Sequence, residues 1–411
     1  MAQAPETKNV TFTLDGKQVT APHGTTIWHV ARDADIDIPH LCYKDADGYR
    51  ADGNCRACMV EIDGERVLAA SCQRVATDGM IVHSATERAT KARAMVMELL
   101  VADQPRRTDS HDPSSQLWHY AEEQQVDHSR FPGKKAPHPD SSHPAIAVNM
   151  DACIQCNLCV RACREVQVND VIGLAGRGAD AHIIFDFGDD MGASTCVGCG
   201  ECVQACPTGA LMPKTVLDDS QKLAITPDKQ VASVCPYCGV GCQLNFHVKG
   251  EKIVAVTGRE GPANKSRLCV KGRYGFDYID NPQRLTVPLI RRDDVPKSAS
   301  LPFDPATPLT HFREASWDEA LTRAASGFSD IKQAHGASAL AGFGSAKGTN
   351  EEAYLVQKLV RQGFGTNNVD HCTRLCHASS VAALLENIGS GAVTASFSQC
   401  LHSDAIIVIG A

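Results

Sequence analysis

The chain has 411 residues, of which 43% are hydrophobic and only 5% aromatic, and this length predicts several domains. Its 40 basic and 48 acidic residues give a formal net charge of −8, which argues against a nucleic-acid-binding surface. No stretch resembles a membrane span, and the N-terminal residues carry neither an apolar signal core nor twin arginines, so we expect a cytoplasmic protein. In that compartment the 19 cysteines are expected to stay reduced, and the clustered ones are expected to bind metal rather than form disulfides.

The first four-cysteine group lies in a predicted pattern of two strands and a helix. Alternating apolar residues precede a turn at Asp15-Gly16, and Thr25 or Thr26 can cap a helix over residues 27–34. The group comprises Cys42, Cys55, Cys58 and Cys72. A loop that carries two of these thiols, with the others held by flanking segments, can enclose a [2Fe–2S] cluster, and a structural zinc ion is the alternative.

The residues between the first and second groups are predicted to form a helix and then an exposed connector. Ser84 and Glu87 match a capping box ahead of the run KARAMVMELLVA, which favours a buried helix face. The proline-rich stretch 127–145 predicts the connector. Five histidines in this region lack a ligand pattern and are expected at the surface: His111, His119, His128, His138 and His143.

The second and third groups repeat the spacing C-x2-C-x2-C-x3-C, in CIQCNLCVRAC and CVGCGECVQACP. Two-cluster ferredoxins use this run, and the fourth cysteine of each run ligates the other cluster. The expected ligand sets are Cys153, Cys156, Cys159 and Cys206 for one [4Fe–4S] cluster, and Cys196, Cys199, Cys202 and Cys163 for the other. Zinc is disfavoured because zinc sites usually pair their cysteines two and two.

A fourth group begins in CPYCGVGC and ends in RLCVKGR. Its members are Cys235, Cys238, Cys242 and Cys269. Spacing alone leaves zinc open, but three iron–sulfur groups upstream favour a further [4Fe–4S] cluster that extends an electron path. Lys271 could lie between this cluster and a neighbouring cofactor, or be an ordinary surface lysine.

The last third of the chain predicts an α/β pattern. Ser316 and Glu319 match a second capping box, and the helices alternate with the short apolar runs ALAGFGSAKG and DAIIVIGA, which predict buried parallel strands. The glycines at 342, 344 and 348 leave backbone amides open to an anionic group near a helix start. Open sheets of this kind bind ligands outside the carboxyl ends of their strands.

The stretch HCTRLCHASS, residues 371–380, holds a Cys-His pair outside the four groups. From its chemistry alone, Cys376 could be a small buried residue or a functional one. Cys372 lies one helical turn earlier, and we interpret it as a packing residue.

The order of the four groups, followed by NNVDHCTRLCHASS, resembles the catalytic subunit of cytoplasmic, NAD-linked formate dehydrogenases that carry molybdenum or tungsten. The likeness runs from about Val10 onward and is closest in the ferredoxin pair and in CPYCGVGC with LCVKGR. Those motifs are shared across the molybdopterin oxidoreductase superfamily, and the N-terminal modules also resemble the large cluster subunits of respiratory complex I and of iron hydrogenases. The Cys-His dipeptide is the part that resembles formate dehydrogenases in particular.

The resemblance implies a multidomain α+β and α/β fold. We expect a β-grasp [2Fe–2S] ferredoxin domain at 7–84, a helical connector at 85–144 and a two-cluster [4Fe–4S] ferredoxin domain at 145–217. A small [4Fe–4S] domain at 228–284 and the start of an α/β molybdopterin-binding domain at 285–411 would follow.

The resemblance also implies residue roles. Cys376 would ligate the Mo or W of a bis-molybdopterin guanine dinucleotide cofactor, and His377 would orient formate or manage its proton. Lys271 would bridge the nearest [4Fe–4S] cluster and one pterin. Formate would be oxidised to CO2, and the electrons would leave through three [4Fe–4S] clusters and one [2Fe–2S] cluster toward a flavin- and NAD-binding partner subunit in a hetero-oligomer.

Two departures accompany this resemblance. Relatives carry a further cluster held by one His and three Cys, and this chain has Gln104, Thr108, His111 and Leu117 at those positions, so we expect that cluster to be absent. Relatives also continue for several hundred residues that supply most of the pterin pocket. Two interpretations therefore remain: a formate dehydrogenase catalytic chain, seen as its N-terminal portion or as one piece of a split subunit, and an iron–sulfur electron-transfer subunit without a working Mo/W site.

Overall fold

The computed structural model of the chain describes residues 8–134, 137, 139–298, 301–304, 306–391 and 394–409. It divides into two compact units, one formed by Met1–Cys235 with Cys242–Phe276 and the other by Pro236–Gly241 with Asp277–Ala411. No helix within these described ranges has both the length and the apolar character needed to cross a membrane.

A five-stranded mixed sheet opens the first unit. Its strands are β1 (Asn9–Leu14), β2 (Lys17–Pro22), β3 (Met59–Ile62), β4 (Ala69–Ala70) and β5 (Ile81–His83), in the order β2-β1-β5-β3-β4. β1 runs parallel to β5, and the other neighbours are antiparallel. Phe12 and Leu14 of β1 share one apolar core with Ile27 and Val30 of helix α1 (Ile27–Asp33), which confirms the predicted order of strand, strand and helix.

Two helices follow this sheet, α2 (Glu87–Val101) and α3 (Gln116–Glu123). They contribute Met97, Leu117 and Tyr120 to a small core that also contains Leu41, beside the first cysteine. The helical connector therefore packs directly against the loop that begins the first thiol group.

The predicted capping box at Ser84 is wrong. Helix α2 is capped by Thr86, whose hydroxyl accepts a hydrogen bond from the Ala89 amide at 3.1 Å. Ser84 instead donates its hydroxyl to Asp15 at 2.6 Å, because the chain leaving β5 is still attached to the sheet at that point.

Two short antiparallel pairs form the tandem-repeat region. β6 (Ile146–Val148) pairs with β9 (Leu211–Pro213), and β7 (Ile172–Ala175) pairs with β8 (His182–Phe185). Helix α4 (Leu158–Arg161) continues as a π-helical turn over Ala162–Val166, and α5 (Glu201–Ala205) is its counterpart in the second repeat. Asn157 and Gly200 precede these helices with φ of 62° and 69°, so the two repeats enter their helices through the same left-handed backbone turn.

A three-stranded antiparallel sheet completes the first unit. It contains β10 (Lys229–Val234), β11 (Gln243–Lys249) and β12 (Lys252–Gly258), and helix α6 (Val270–Tyr274) follows it. Leu244, Val256, Leu268 and Phe276 form its core. This core supports the segments that carry Cys235, Cys242 and Cys269.

The second unit holds two two-stranded sheets and most of the long helices. β13 (Leu289–Arg291) pairs antiparallel with β14 (Phe312–Glu314), and β15 (Gly342–Gly344) pairs parallel with β16 (Val369–His371). The helices are α7 (Trp317–His335), α8 (Asn350–Lys358) with a π-helical extension over Leu359–Phe364, α9 (Thr373–Cys376) and α10 (Ala378–Ile388). The Ser316 hydroxyl accepts from the Glu319 amide at 3.2 Å, so Ser316 caps α7 as predicted.

The strand predicted over DAIIVIGA is not observed in its described part. Residues 405–409 have no strand pairing, and Ile407 and Ile409 are 86% and 89% exposed. A parallel strand needs a neighbouring strand to hydrogen-bond with, and no described residue supplies one here.

Short 3₁₀ turns complete the chain at Arg107–Asp109, Met150–Ala152, Gly178–Asp180, Lys214–Val216, Asp277–Asp280, Pro308–Thr310, Ala337–Ala339 and Phe397–His402.

Candidate metal centres

The four thiols of the first group lie together at one end of the mixed sheet. Cys58 directly precedes β3 and Cys72 follows β4, so the antiparallel pairing of these strands brings the two residues side by side. The Cys58 thiol is hydrogen-bonded to Cys72, and the Cys42 thiol is hydrogen-bonded to both Cys72 and Cys55. All except the half-buried Cys55 are buried.

These contacts push the pKa values of the thiols apart. Hydrogen bonds from Cys55 and Cys72 lower the pKa of Cys42, while the contact with Cys42 raises the pKa of Cys55 and of Cys72, and burial adds to both increases. Several buried thiolates in contact repel one another, so they ionise together only where a cation compensates their charge. This donor set fits an iron–sulfur cluster.

The tandem repeats exchange their fourth cysteines. Cys206, from the second run, lines one cavity together with Cys153, Cys156 and Cys159 of the first run. Burial, together with the charge of Cys206, raises the pKa of the Cys153 thiol to about 11. The first of the crossed thiol sets expected from the sequence is thus assembled, while the iron that it would hold stays a prediction.

The second crossed set likewise combines thiols from both runs, namely Cys196, Cys199, Cys202 and Cys163. Burial raises the pKa values of Cys196, Cys199 and Cys202, and the charge of Cys163 from the first run raises each of them as well. The Val171 amide donates to the Cys163 sulfur at 3.3 Å. Amide donors of this kind stabilise thiolates that carry a cluster.

The spacing between thiols distinguishes clusters from mononuclear zinc. Four sulfurs bound to one tetrahedral zinc at about 2.3 Å would lie about 3.8 Å from one another. Within the part of the chain that the structure describes, no three cysteine sulfurs come within 4.8 Å of one another. No three described cysteines thus have the mutual spacing of a tetrahedral zinc site.

The fourth group is only partly assembled within one unit. Cys235, Cys242 and Cys269 belong to the first unit, and the Cys235 amide donates to the Cys242 carbonyl at 2.9 Å. Cys238 belongs to the second unit, and Lys271 on α6 is exposed. Cluster ligation by this group and the bridging role of Lys271 therefore stay predictions.

The Cys-His pair follows β16 at a sheet edge. Cys376 ends α9, His377 separates α9 from α10, and both side chains are exposed. Because β15 and β16 are parallel, with Gly344 opposite His371, the segments that follow both strands leave from the same carboxyl edge. Ligands bind at this edge in open α/β sheets.

The loop after β15 contacts the segment after β16. The Ala346 amide donates a hydrogen bond to the Cys372 sulfur at 3.1 Å, and Cys372 is exposed. The interpretation of Cys372 as a packing residue is therefore wrong, because its sulfur is a hydrogen-bond acceptor that connects two loops. The first turn of α8 is closed by its own capping box between Thr349 and Glu352, so an anion at this helix start would have to rely on the preceding loop amides.

Two of the five connector histidines are not at the surface. His111 and His143 are buried, His119 and His128 are exposed, and His138 lies outside the described residues. The His143 ring accepts hydrogen bonds from the amides of residues 145 and 146, so it has a structural role. The prolines around it in the sequence had indicated an exposed connector instead. Leu117 is fully buried in an apolar core, and its side chain has no atom that could ligate a metal.

Sequence reasoning missed a buried carboxylate within the third cysteine group. Glu201, 2% exposed, accepts hydrogen bonds from the Tyr49 hydroxyl at 2.9 Å, Lys44 Nζ at 3.3 Å and Arg273 Nη2 at 3.2 Å. Arg273 also donates to the Cys199 carbonyl at 2.7 Å. The two repeats differ at this position, where the first has Leu158 in CNLC and the second has Glu201 in CGEC. This change from an apolar to a charged residue was the sequence signal that could have indicated the buried carboxylate.

Family comparisons agree with this arrangement. The chain matches the 2Fe-2S iron-sulfur cluster binding domain over residues 7–87 and the 4Fe-4S dicluster domain over 152–210. It also matches the molybdopterin oxidoreductase Fe4S4 domain over 228–281 and the molybdopterin oxidoreductase family over 284–411. Along the chain, the matched iron–sulfur domains precede the matched molybdopterin oxidoreductase domains.

Individual relatives are similar along almost the whole chain. "Probable oxidoreductase YjgC" of Bacillus subtilis (strain 168) is 31% identical over 440 residues, which cover 97% of this chain and 43% of the relative. A "Putative formate dehydrogenase" of Staphylococcus aureus (strain USA300) is 29% identical over 442 residues, covering 98% and 43%. This chain thus spans less than half the length of these curated relatives. The resemblance inferred from the sequence is confirmed at the level of the family.

One solved structure is also similar in part. A chain from the "Crystal structure of NAD+-reducing [NiFe]-hydrogenase in the H2-reduced state" is 29% identical, with a TM-score of 0.45, and the match covers 50% of this chain and 87% of that one.

Proposed function

We propose that this chain is the electron-entry and electron-transfer portion of a formate dehydrogenase. Formate is oxidised to CO2 at a Mo or W bis-molybdopterin guanine dinucleotide site that includes Cys376 and His377. The electrons pass singly through three [4Fe–4S] centres and one [2Fe–2S] centre, held by the four cysteine groups, to a flavin- and NAD-binding partner subunit.

The position of the Cys-His pair carries this proposal. Cys376 and His377 follow β16, whose carboxyl end lies at the edge of a parallel strand pair, and Cys372, four residues before Cys376, contacts the loop that follows β15. The family matches support a molybdopterin cofactor, and the name of the S. aureus relative supports formate as the substrate.

The side chains present suit the chemistry proposed for them. The cofactor, when bound, supplies the two-electron oxidation. The thiolate of Cys376 is a soft ligand of the kind that suits such a metal, and its exposure leaves it free to bind one. The adjacent His377 imidazole can hold formate through a hydrogen bond or accept its proton.

The test uses the purified complex that contains this chain with its partners. We expect anaerobic formate to produce the EPR signals of reduced iron–sulfur centres, and Mo or W to be present alongside iron. Cys376→Ser should abolish reduction by formate. His377→Gln should keep the metals and lower kcat by about 10² to 10⁴, the usual contribution of an acid–base group.

A matched control and a contrary outcome complete the test. Cys400→Ser removes another exposed cysteine of the second unit and should leave formate oxidation unchanged. A complex without Mo and W whose clusters are not reduced by formate would rule out the formate dehydrogenase and favour the electron-transfer subunit.

A further inference from the structure

Arg161 is a buried cation between two of the thiol groups. It lies on α4 within the first C-x2-C-x2-C-x3-C run, between Cys159 and Cys163, and is only 2% exposed. Its Nη2 donates to the backbone carbonyl of Cys42 at 2.6 Å, and its Nη1 forms an ion pair with Asp52. The guanidinium therefore reaches from one predicted cluster site to a cysteine of the next.

The two thiol groups are also neighbours in the core. Cys42 shares an apolar cluster with Cys156 and Cys163, and the charge of Cys42 raises the pKa of Cys156. The two thiol groups are therefore close enough for the charge on one to act on the other.

We infer that Arg161 is a positioning residue for one-electron transfer between the centre at Cys153, Cys156, Cys159 and Cys206 and the [2Fe–2S] centre at Cys42, Cys55, Cys58 and Cys72. Each transfer oxidises the [4Fe–4S] centre by one electron and reduces the [2Fe–2S] centre by one electron, and no bond is broken. The inference rests on the proposed iron–sulfur centres and does not require formate to be the substrate.

Charge and hydrogen bonding give Arg161 this role. Reduction adds a negative charge to the [2Fe–2S] centre, and a cation bonded to the carbonyl of a ligating cysteine stabilises that charge. Asp52 orients the guanidinium and offsets part of its positive charge. Arg161 should thus raise the reduction potential of the [2Fe–2S] centre, and Asp52 should lower it.

A purely structural tie between these segments would not need a buried charge. Arg50 already forms an ion pair with Glu165 at 2.9 Å, and the Arg50 side chain is 64% exposed. That surface pair joins the same two segments, whereas burying Arg161 carries a desolvation cost and leaves its Nε without a partner among the described residues. The costly placement beside Cys42 therefore indicates an electrostatic role.

The experiment is a mediator titration of the iron-loaded complex without formate, with the [2Fe–2S] signal recorded at a temperature where the [4Fe–4S] signals are broadened away. Arg161→Gln should lower the ratio of reduced to oxidised [2Fe–2S] centre about tenfold at a fixed potential, which is about 59 mV for one electron. Arg161→Lys, which keeps the charge, should recover most of this shift. Arg164→Gln removes an exposed arginine three residues away and should leave the potential unchanged.

Asp52→Asn gives an independent measurement with the opposite sign. It keeps Arg161 and removes its counter-charge, so the [2Fe–2S] potential should rise. Equal potentials in the native protein, Arg161→Gln and Asp52→Asn, with full iron content, would overturn the inference. If Arg161→Gln fails to assemble, the Asp52→Asn result decides alone, and an unchanged potential there would also overturn it. Absence of formate oxidation by the native complex, with these potential shifts still observed, would contradict only the proposed function.

Discussion

The cysteines of the two compact units lie in opposite environments. In the first unit most of the thiols are buried or half-buried and belong to apolar cores, and those cores hold residues distant in sequence against one another. In the second unit the cysteines at 238, 372, 376 and 400 are all exposed, and the apolar core there consists mainly of Leu340, Val360 and Phe364. Helix α7, 19 residues long, buries none of its residues.

The two units therefore differ in what positions the residues of a candidate metal site. In the first unit, packing holds the thiols close to one another, and burial makes their ionisation costly without a compensating cation. In the second unit, backbone topology alone carries Cys376 and His377 to a sheet edge, and no described side chain encloses them. Substitutions should accordingly have large effects on iron content and stability in the first unit and small ones in the second.

The largest effect is expected from removing a crossed cysteine. Cys206→Ser should eliminate the same EPR signal as Cys153→Ser, with about four iron atoms lost per chain, because both thiols line one cavity. Cys196→Ser should eliminate a different signal. Iron analysis and EPR of the reduced protein measure both quantities.

The matched substitution in the second unit is Cys372→Ser. Its sulfur contacts the Ala346 amide and the neighbouring His371 ring, and neither residue belongs to a predicted cluster site, so iron content and all cluster signals should stay at the native level. If Cys206→Ser and Cys196→Ser removed the same signal, the crossed arrangement would be wrong.

A smaller but still large effect is expected for the buried carboxylate. Glu201→Gln leaves Arg273 and Lys44 without their negative partner, and breaking a buried ion pair in this way typically costs about 3–5 kcal/mol. Chemical denaturation of the iron-loaded protein measures the change in free energy of unfolding.

Glu319→Gln in the second unit is the control for that experiment. Glu319 also pairs with an arginine, Arg313, but both side chains are 46% exposed, and ion pairs at the surface contribute little to stability. Similar destabilisation by both substitutions would contradict the contrast between the units.

Much of the first unit could be predicted from the sequence because its signals are local. The alternating apolar residues of β1 and the fixed cysteine spacings specify elements within a few residues of one another, and the ferredoxin-type run implies the crossed thiols. The strand predicted over DAIIVIGA is not observed in its described part, for the opposite reason. A strand exists only when a partner strand is present, and an apolar run does not carry that information.

The polar contacts between groups could not be predicted. Arg161 and Cys42 are 119 residues apart in sequence, and Glu201 and Tyr49 are 152 residues apart. No periodic pattern in the sequence identifies a charged side chain that is buried against a carbonyl or hydroxyl group far away in the chain. The spacing of the cysteines thus predicted which thiols lie close together. The positions of the buried charges Arg161 and Glu201 between the thiol groups could be seen only in the structure.

The smallest expected effect concerns pH and a histidine that the sequence had assigned to the surface. Both ring nitrogens of His111 face acceptors, the Gln221 carbonyl at 2.8 Å and the Asp151 carboxylate at 3.1 Å, and only the protonated ring can donate to both. Burial lowers the pKa of His111, but the hydrogen bonds to Asp151 and Gln221 outweigh it, so the pKa lies above the ordinary value of 6.5. The stabilisation is therefore complete below pH 6.5 and disappears as the pH rises through the raised pKa of the folded state.

His111→Gln should cost about 1.5 kcal/mol in acidic buffer, the usual contribution of a hydrogen bond to a charged group, and much less in alkaline buffer. The melting temperatures of native and variant protein across this range measure the difference, with the exposed His335→Gln of the second unit as control. A gap between native protein and His111→Gln that widened with rising pH would show that His111 is neutral in the fold, and the ion pair with Asp151 would have to be abandoned.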